Sequence, residues 1–141
     1  MERTRDPIPA GRRVRARPLR LLLRGLFALY AWLREAAPFS SFGAGSPGVA
    51  GSDSRIFTLI DALPEPDEGL AGSRLHITLN EAELLGDIPF YRGMSRNVLT
   101  AVERLHVKGL SERVSKALLR ETHVTGLQAS FLSYLKTCHR R

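Results

Sequence analysis

Residues 74–85, Arg74-Leu75-His76-Ile77-Thr78-Leu79-Asn80-Glu81-Ala82-Glu83-Leu84-Leu85, hold the change of period on which the fold turns. The first six alternate polar and apolar, which puts Leu75, Ile77 and Leu79 on one face of a half-buried strand. From Asn80 the period is helical. Asn80 followed three residues later by Glu83 is a capping-box pattern, and it predicts a short helix through Leu85. Gly86 ends that helix, and Asp87-Ile88-Pro89 turns the chain.

Downstream the helical period continues. Ser95 predicts the N-cap of a helix with Val98, Leu99, Val102 and Leu105 on one face and Arg96, Glu103 and Arg104 elsewhere. Ser111 opens a third helix with Val114, Ala117 and Leu118 inward. Thr125-Gly126-Leu127-Gln128 is a second capping-box pattern. It opens a fourth helix with Leu127, Phe131 and Leu135 at i, i+4 and i+8.

Upstream, Arg55-Ile56-Phe57-Thr58-Leu59-Ile60 is β-branched and aromatic and reads as a second strand. Residues 63–69 are an acidic, turn-rich loop, so the two strands are expected to pair as a hairpin resting on the helices. A competing reading takes Ile56, Phe57, Leu59, Ile60 and Leu63, set beside Asp61, Glu65, Asp67 and Glu68, as an acidic-hydrophobic segment that folds into a partner's groove. The expected fold is mainly α. It is a small C-terminal bundle of about four helices with a short β-hairpin, preceded by a basic disordered arm and one amphipathic helix.

Four segments are expected. Residues 1–18 are a basic arm with three Pro and few apolar side chains, too polar to offset the entropy of ordering. Residues 19–37 are an amphipathic helix with Leu22, Leu26, Leu29 and Leu33 on one stripe and Trp32 beside it. Residues 38–54 are a Gly/Ser/Pro linker. Residues 55–138 are the small α-rich domain. The linker spells G-x-G-x-x-G at 43–48. That dinucleotide motif needs a strand before it and a helix after it, and neither is expected here.

Residues 84–95, LLGDIPFYRGMS, resemble the opening of cyclic-nucleotide-binding domains, where a helix, an Ile-Pro-Phe-like turn and a Ser-capped helix precede a β-roll. The β-roll of that family and its Gly-rich, Arg-containing phosphate cassette have no counterpart downstream, so nucleotide binding is not carried over.

Charge comes in three blocks: nine Arg against three acidic residues over 1–50, two Arg against eight over 51–91, and ten Lys or Arg against three over 92–141. The net +7 favours acidic partners. Arg12, Arg13, Arg15 and Arg17 form a compact cation suited to localisation or phosphate binding. Arg113, Lys116 and Arg120 are the candidate nucleic-acid face of a helix-turn-helix-like corner. A single cysteine, Cys138, excludes an intrachain disulfide. No C-x-x-C or H-E-x-x-H spacing points to a metal. No G-x-S-x-G places a nucleophile on a strand-to-helix elbow.

The sequence therefore leads to a non-enzymatic regulatory or adaptor protein without cofactor, acting through protein partners and localised by its Arg-rich arm. The alternatives are a basic nucleic-acid-binding regulator, binding weakly and non-specifically, and a protein of an anionic membrane surface or the mitochondrion that uses helix 19–37. The expected compartment is the nucleus or nucleolus, with the mitochondrion and the cytoplasmic membrane surface as alternatives.

Overall fold

The computed structural model describes residues 16–34, 39–64 and 72–139, with side chains from Arg24 onward. Three strands, β1 (Ser41–Gly45), β2 (Arg74–Asn80) and β3 (Val114–Leu119), form one parallel sheet in the order β1-β2-β3. Five helices accompany them among the described residues: α1 (Ala16–Leu33), α2 (Arg55–Asp61), α3 (Glu81–Leu85), α4 (Pro89–Val107) and α5 (Gly126–Cys138). The expectation of a mainly α bundle with a hairpin is corrected. The fold is mixed α/β, with every strand joined to the next by a helical crossover, as parallel pairing demands.

The strand expected at 55–60 is helix α2. Ser54 caps it, its Oγ accepting the Ile56 N–H at 3.4 Å, and Ile56, Phe57 and Ile60 are buried along one helical face. A six-residue run with four apolar side chains fits either period, and here its tertiary contacts decide. The helix expected after Ser111 is instead β3, in parallel register with β2 from Leu75↔Val114 to Asn80↔Leu119. The Gly/Ser/Pro segment read as a linker contains β1, and Ala44 and Val49 within it are 1% and 0% exposed. Its small residues serve close approach. A Cβ on Gly25 of α1 would stand 2.1 Å from the Gly45 carbonyl oxygen, so only a glycine lets α1 lie this near the sheet.

The alternation read in β2 is real, but both faces are covered, as is usual for parallel sheets. Leu75, Ile77 and Leu79 enter the core with Ile56, Phe57 and Ile60 of α2 and Val98, Val102 and Leu105 of α4. His76, Thr78 and Asn80 are equally buried on the opposite face, beneath α5. Leu29, Trp32 and Leu33 of α1 belong to the same core, with Leu26 packed against it. Ile56, Phe57, Ile60 and Leu63, read as a partner-binding segment, are core as well, with Leu59 against them. Helix α4 begins at Pro89, whose fixed φ and missing N–H suit a first turn, and Ser95 lies buried inside it. Lys108 Nζ donates to the Asp61 and Leu63 carbonyls at 2.7 and 3.1 Å, closing the end of α2.

Helix α5 reverses the expected face. Leu127, Phe131 and Leu135 are 50%, 58% and 37% exposed, whereas Gly126 and Ser130 are buried. The reason is the surface it meets: the polar face of β2 takes hydroxyls rather than leucines. Among the described residues no helix is long and apolar enough to cross a membrane.

Candidate functional site

The three strands end on the same side of the molecule. In open parallel sheets the carboxyl edge is where side chains from successive loops converge on a crevice. Here the convergent residues are Ser46, directly after β1; Asn80 and Glu83, at the end of β2 and in the first turn of α3; and His123, between β3 and α5. All four are less than a tenth exposed.

Glu83 is the hub. One carboxylate oxygen, Oε1, is hydrogen-bonded to Nδ1 of His123. The other, Oε2, accepts the Ser46 hydroxyl at 2.6 Å and the Asn80 backbone N–H at 3.3 Å. Asn80 Nδ2 in turn donates to Ser46 Oγ at 3.0 Å. Burial pushes the Glu83 carboxyl up. The hydrogen bonds from His123 and Ser46, the charge of His123 and the Asn80 N–H outweigh it, and the net direction is down. Glu83 is therefore ionised at neutral pH. A carboxylate on Nδ1 fixes that nitrogen as the donor and directs the ring's other nitrogen, Nε2, to act as acceptor whenever the imidazole is neutral.

Local structure holds each member in place. Glu83 is the third residue of α3, and its contact with the Asn80 N–H is half of the capping box read from sequence; the cap is also the acid of the pair. Ser46 has φ 42°, a left-handed conformation uncommon outside glycine, and its N–H still donates to Thr78 O at 2.8 Å. The loop carrying His123 is pinned by Thr122 and Thr125, each hydroxyl accepting the other's backbone N–H, at 3.0 and 3.2 Å. The Tyr91 ring stacks on the imidazole with centroids 4.9 Å apart. Gly126 lies against Asn80, where a Cβ would come within 2.3 Å of the amide oxygen.

Beneath α5 a second polar layer continues from this cluster. Thr78 donates to Ser130 Oγ at 2.8 Å. His76 sits between Ser115 at Nδ1 and Ser133 at Nε2, both at 2.8 Å. Burial pulls the His76 pKa below its ordinary value, so this ring is neutral at pH 7. It is a satisfied interior histidine, joining β2, β3 and α5.

The residues singled out from sequence fall elsewhere. Arg12, Arg13 and Arg15 lie outside the described residues, as do the side chains of Arg17 and Leu22, whose backbones are in α1. Arg113 precedes β3, Lys116 lies on β3 and Arg120 follows it, so the three sit on and beside a strand rather than on a recognition helix. Among the described residues, no three His, Cys, Asp or Glu side chains gather as a metal site. Sequence reasoning found Glu83 as a cap without joining it to His123. The signal was available: an acid and then a histidine, each just after a strand. It was masked once 114–119 was read as helix. No protein family, curated protein or solved structure matches this chain.

Proposed function

We propose that the Glu83–His123 pair is the acid–base element of a hydrolytic site that transfers acyl groups to water, with His123 as general base and Glu83 as its orienting acid. The observation that carries this reading is the buried carboxylate on Nδ1 at the carboxyl edge of a parallel sheet. Ser-acid-His hydrolases built on such sheets place acid and histidine in this chain order, on loops after successive strands. That parallel is one of arrangement.

Ser46 is a positioning residue in this reading. Its hydroxyl donates to Glu83 Oε2 and accepts from Asn80, on the side of the carboxylate away from the imidazole bond. The attacking oxygen belongs at Nε2. As water adds to an acyl carbonyl there, Nε2 takes its proton, Glu83 balances the imidazolium, and the proton then passes to the departing alkoxide. Phe90, whose ring lies 5.7 Å from that of Tyr91, and Val124, next to His123 in the chain, are 58% and 77% exposed, and in this reading they receive the acyl group.

The test is hydrolysis of p-nitrophenyl butyrate by the full chain, with folding of each variant checked by circular dichroism. His123→Gln is expected to lower the second-order rate by about 10²–10⁴-fold, the usual worth of a positioned base. Ser46→Ala retains part of the activity. A wild-type rate no greater than that of folded His123→Gln refutes the reading. The non-catalytic protein-binding reading would then take its place, supported by the outward stripe of Leu127, Phe131 and Leu135 on α5.

A further inference from the structure

The outer edge of β1 is built like a position inside a sheet, although no strand occupies it among the described residues. Two contacts of the β1–β2 ladder set its phase: Arg74 N–H donates to Ser40 O at 3.0 Å, and Ser46 N–H donates to Thr78 O at 2.8 Å. Peptide groups along a strand alternate in direction, so Ser41, Gly43 and Gly45 turn theirs away from β2. The Gly45 carbonyl bears this out independently, because it points at α1 closely enough that a Cβ on Gly25 would stand 2.1 Å away. Toward Ser41 and Gly43 the edge opens into a groove of about 350 Å³. Arg24 of α1 stands on one side, and Leu127, Phe131 and Tyr134 of α5 on the other. Helices on both sides of a free edge are the surroundings of a central strand.

We propose that this groove takes up an extended, mainly apolar peptide segment with an acidic side chain, adding a fourth strand beside β1. Three features select that occupant. The outward N–H groups of Ser41 and Gly43 and the Gly43 C=O, together with the Ser41 C=O, which also accepts the Tyr134 hydroxyl at 3.4 Å, are matched by another peptide backbone, which is how strand addition recognises its ligand. The apolar surface of Leu127 and Phe131, both half-exposed or more, receives alternate side chains. Among the described residues Arg24 is the charged residue that lines the groove and no carboxylate lines it, so the segment's own charge is negative. A second copy of the fold is a poorer fit: its own β1 is flanked by α1 and α5, and these would meet their counterparts before the two edges paired.

The full chain is titrated with an array of fluorescent acetylated hexapeptides that alternate Val or Ile with Thr and carry one terminal Glu, by anisotropy. Binding by array members is expected, and N-methylation at alternate peptide bonds of the best binder is expected to weaken it about tenfold or more, as lost backbone hydrogen bonds imply. Arg24→Glu, a change at an exposed site, is expected to weaken the Glu peptide and favour its Lys counterpart. His123→Gln should bind normally, since the groove is separate from the acid–histidine pair. Three results overturn the proposal: no array member binding below millimolar concentration, equal binding of every N-methylated form, or concentration-dependent dimers in sedimentation that Ser41→Pro abolishes.

Discussion

Replacing Glu83 with Ala removes the acceptor for three buried donors at once: Nδ1 of His123, the Ser46 hydroxyl and the Asn80 N–H. Each is then left in a site where water enters poorly, because Ser46, Asn80 and His123 are 3%, 0% and 8% exposed. Breaking a buried charged pair by deleting one partner costs about 3–5 kcal/mol. That is a large part of the whole stability of a domain. Glu83→Gln keeps the shape and one acceptor but loses the charge, and is expected to cost about 1.5–3 kcal/mol. Urea unfolding at pH 7 measures both. The pH dependence supplies a second handle. The folded pKa of Glu83 lies below its ordinary value of 4.5, so the unfolded chain takes up the proton first as pH falls. Its stabilisation is therefore complete above pH 4.5 and is lost as pH drops through the lower folded value. The gap between wild type and Glu83→Gln should be widest at neutral pH and narrow below 4.5. A Glu83→Ala protein within 0.5 kcal/mol of wild type would refute the hub geometry.

Two helical glycines should respond in opposite directions to the same change. Gly25→Ala drives a methyl into the Gly45 carbonyl and should lower the melting temperature, whereas Gly93 in α4 has nothing within 4 Å of its would-be Cβ. Gly93→Ala should stabilise by about 0.4–1 kcal/mol, and thermal unfolding of the two variants decides the matter. His76 should make the fold acid-sensitive in its own window. Burial lowers its folded pKa, so the unfolded state binds the proton first below pH 6.5, and stability falls from there until the folded ring also protonates. Denaturation of wild type and His76→Asn between pH 5 and 8 should show the steeper fall in wild type.

Much of the carboxyl half was legible in the sequence because its signals are local. The alternation of β2, the Asn80–Glu83 cap and the Val98, Val102, Leu105 face all stand in the structure. Strands β1 and β3 escaped because a parallel pairing leaves no hairpin turn to announce it. Ser41-Phe42-Gly43-Ala44-Gly45 has the composition of a linker, and its strand character comes from β2, about thirty residues onward in the β1–β2 register. The run at 55–60 has β propensity, yet Ser54 and the i, i+1, i+4 burial of Ile56, Phe57 and Ile60 make it a helix. In α5 the eye follows Leu127, Phe131 and Leu135, while the packed stripe is Gly126, Ser130 and Ser133. That stripe is readable only once a polar sheet face is known to lie opposite. The acid–histidine pair depended on the same missing strands, since neither loop can be placed at a sheet edge before the sheet exists.

The Nδ1 proton of His123 tests the account most directly. In ¹⁵N-labelled protein it should appear as a slowly exchanging downfield imidazole resonance, assigned by its loss in His123→Gln. It should vanish or move upfield in folded Glu83→Gln and persist in His76→Asn. A wild-type spectrum without that proton, or one unchanged by Glu83→Gln, would contradict the buried pair on which the proposed chemistry rests.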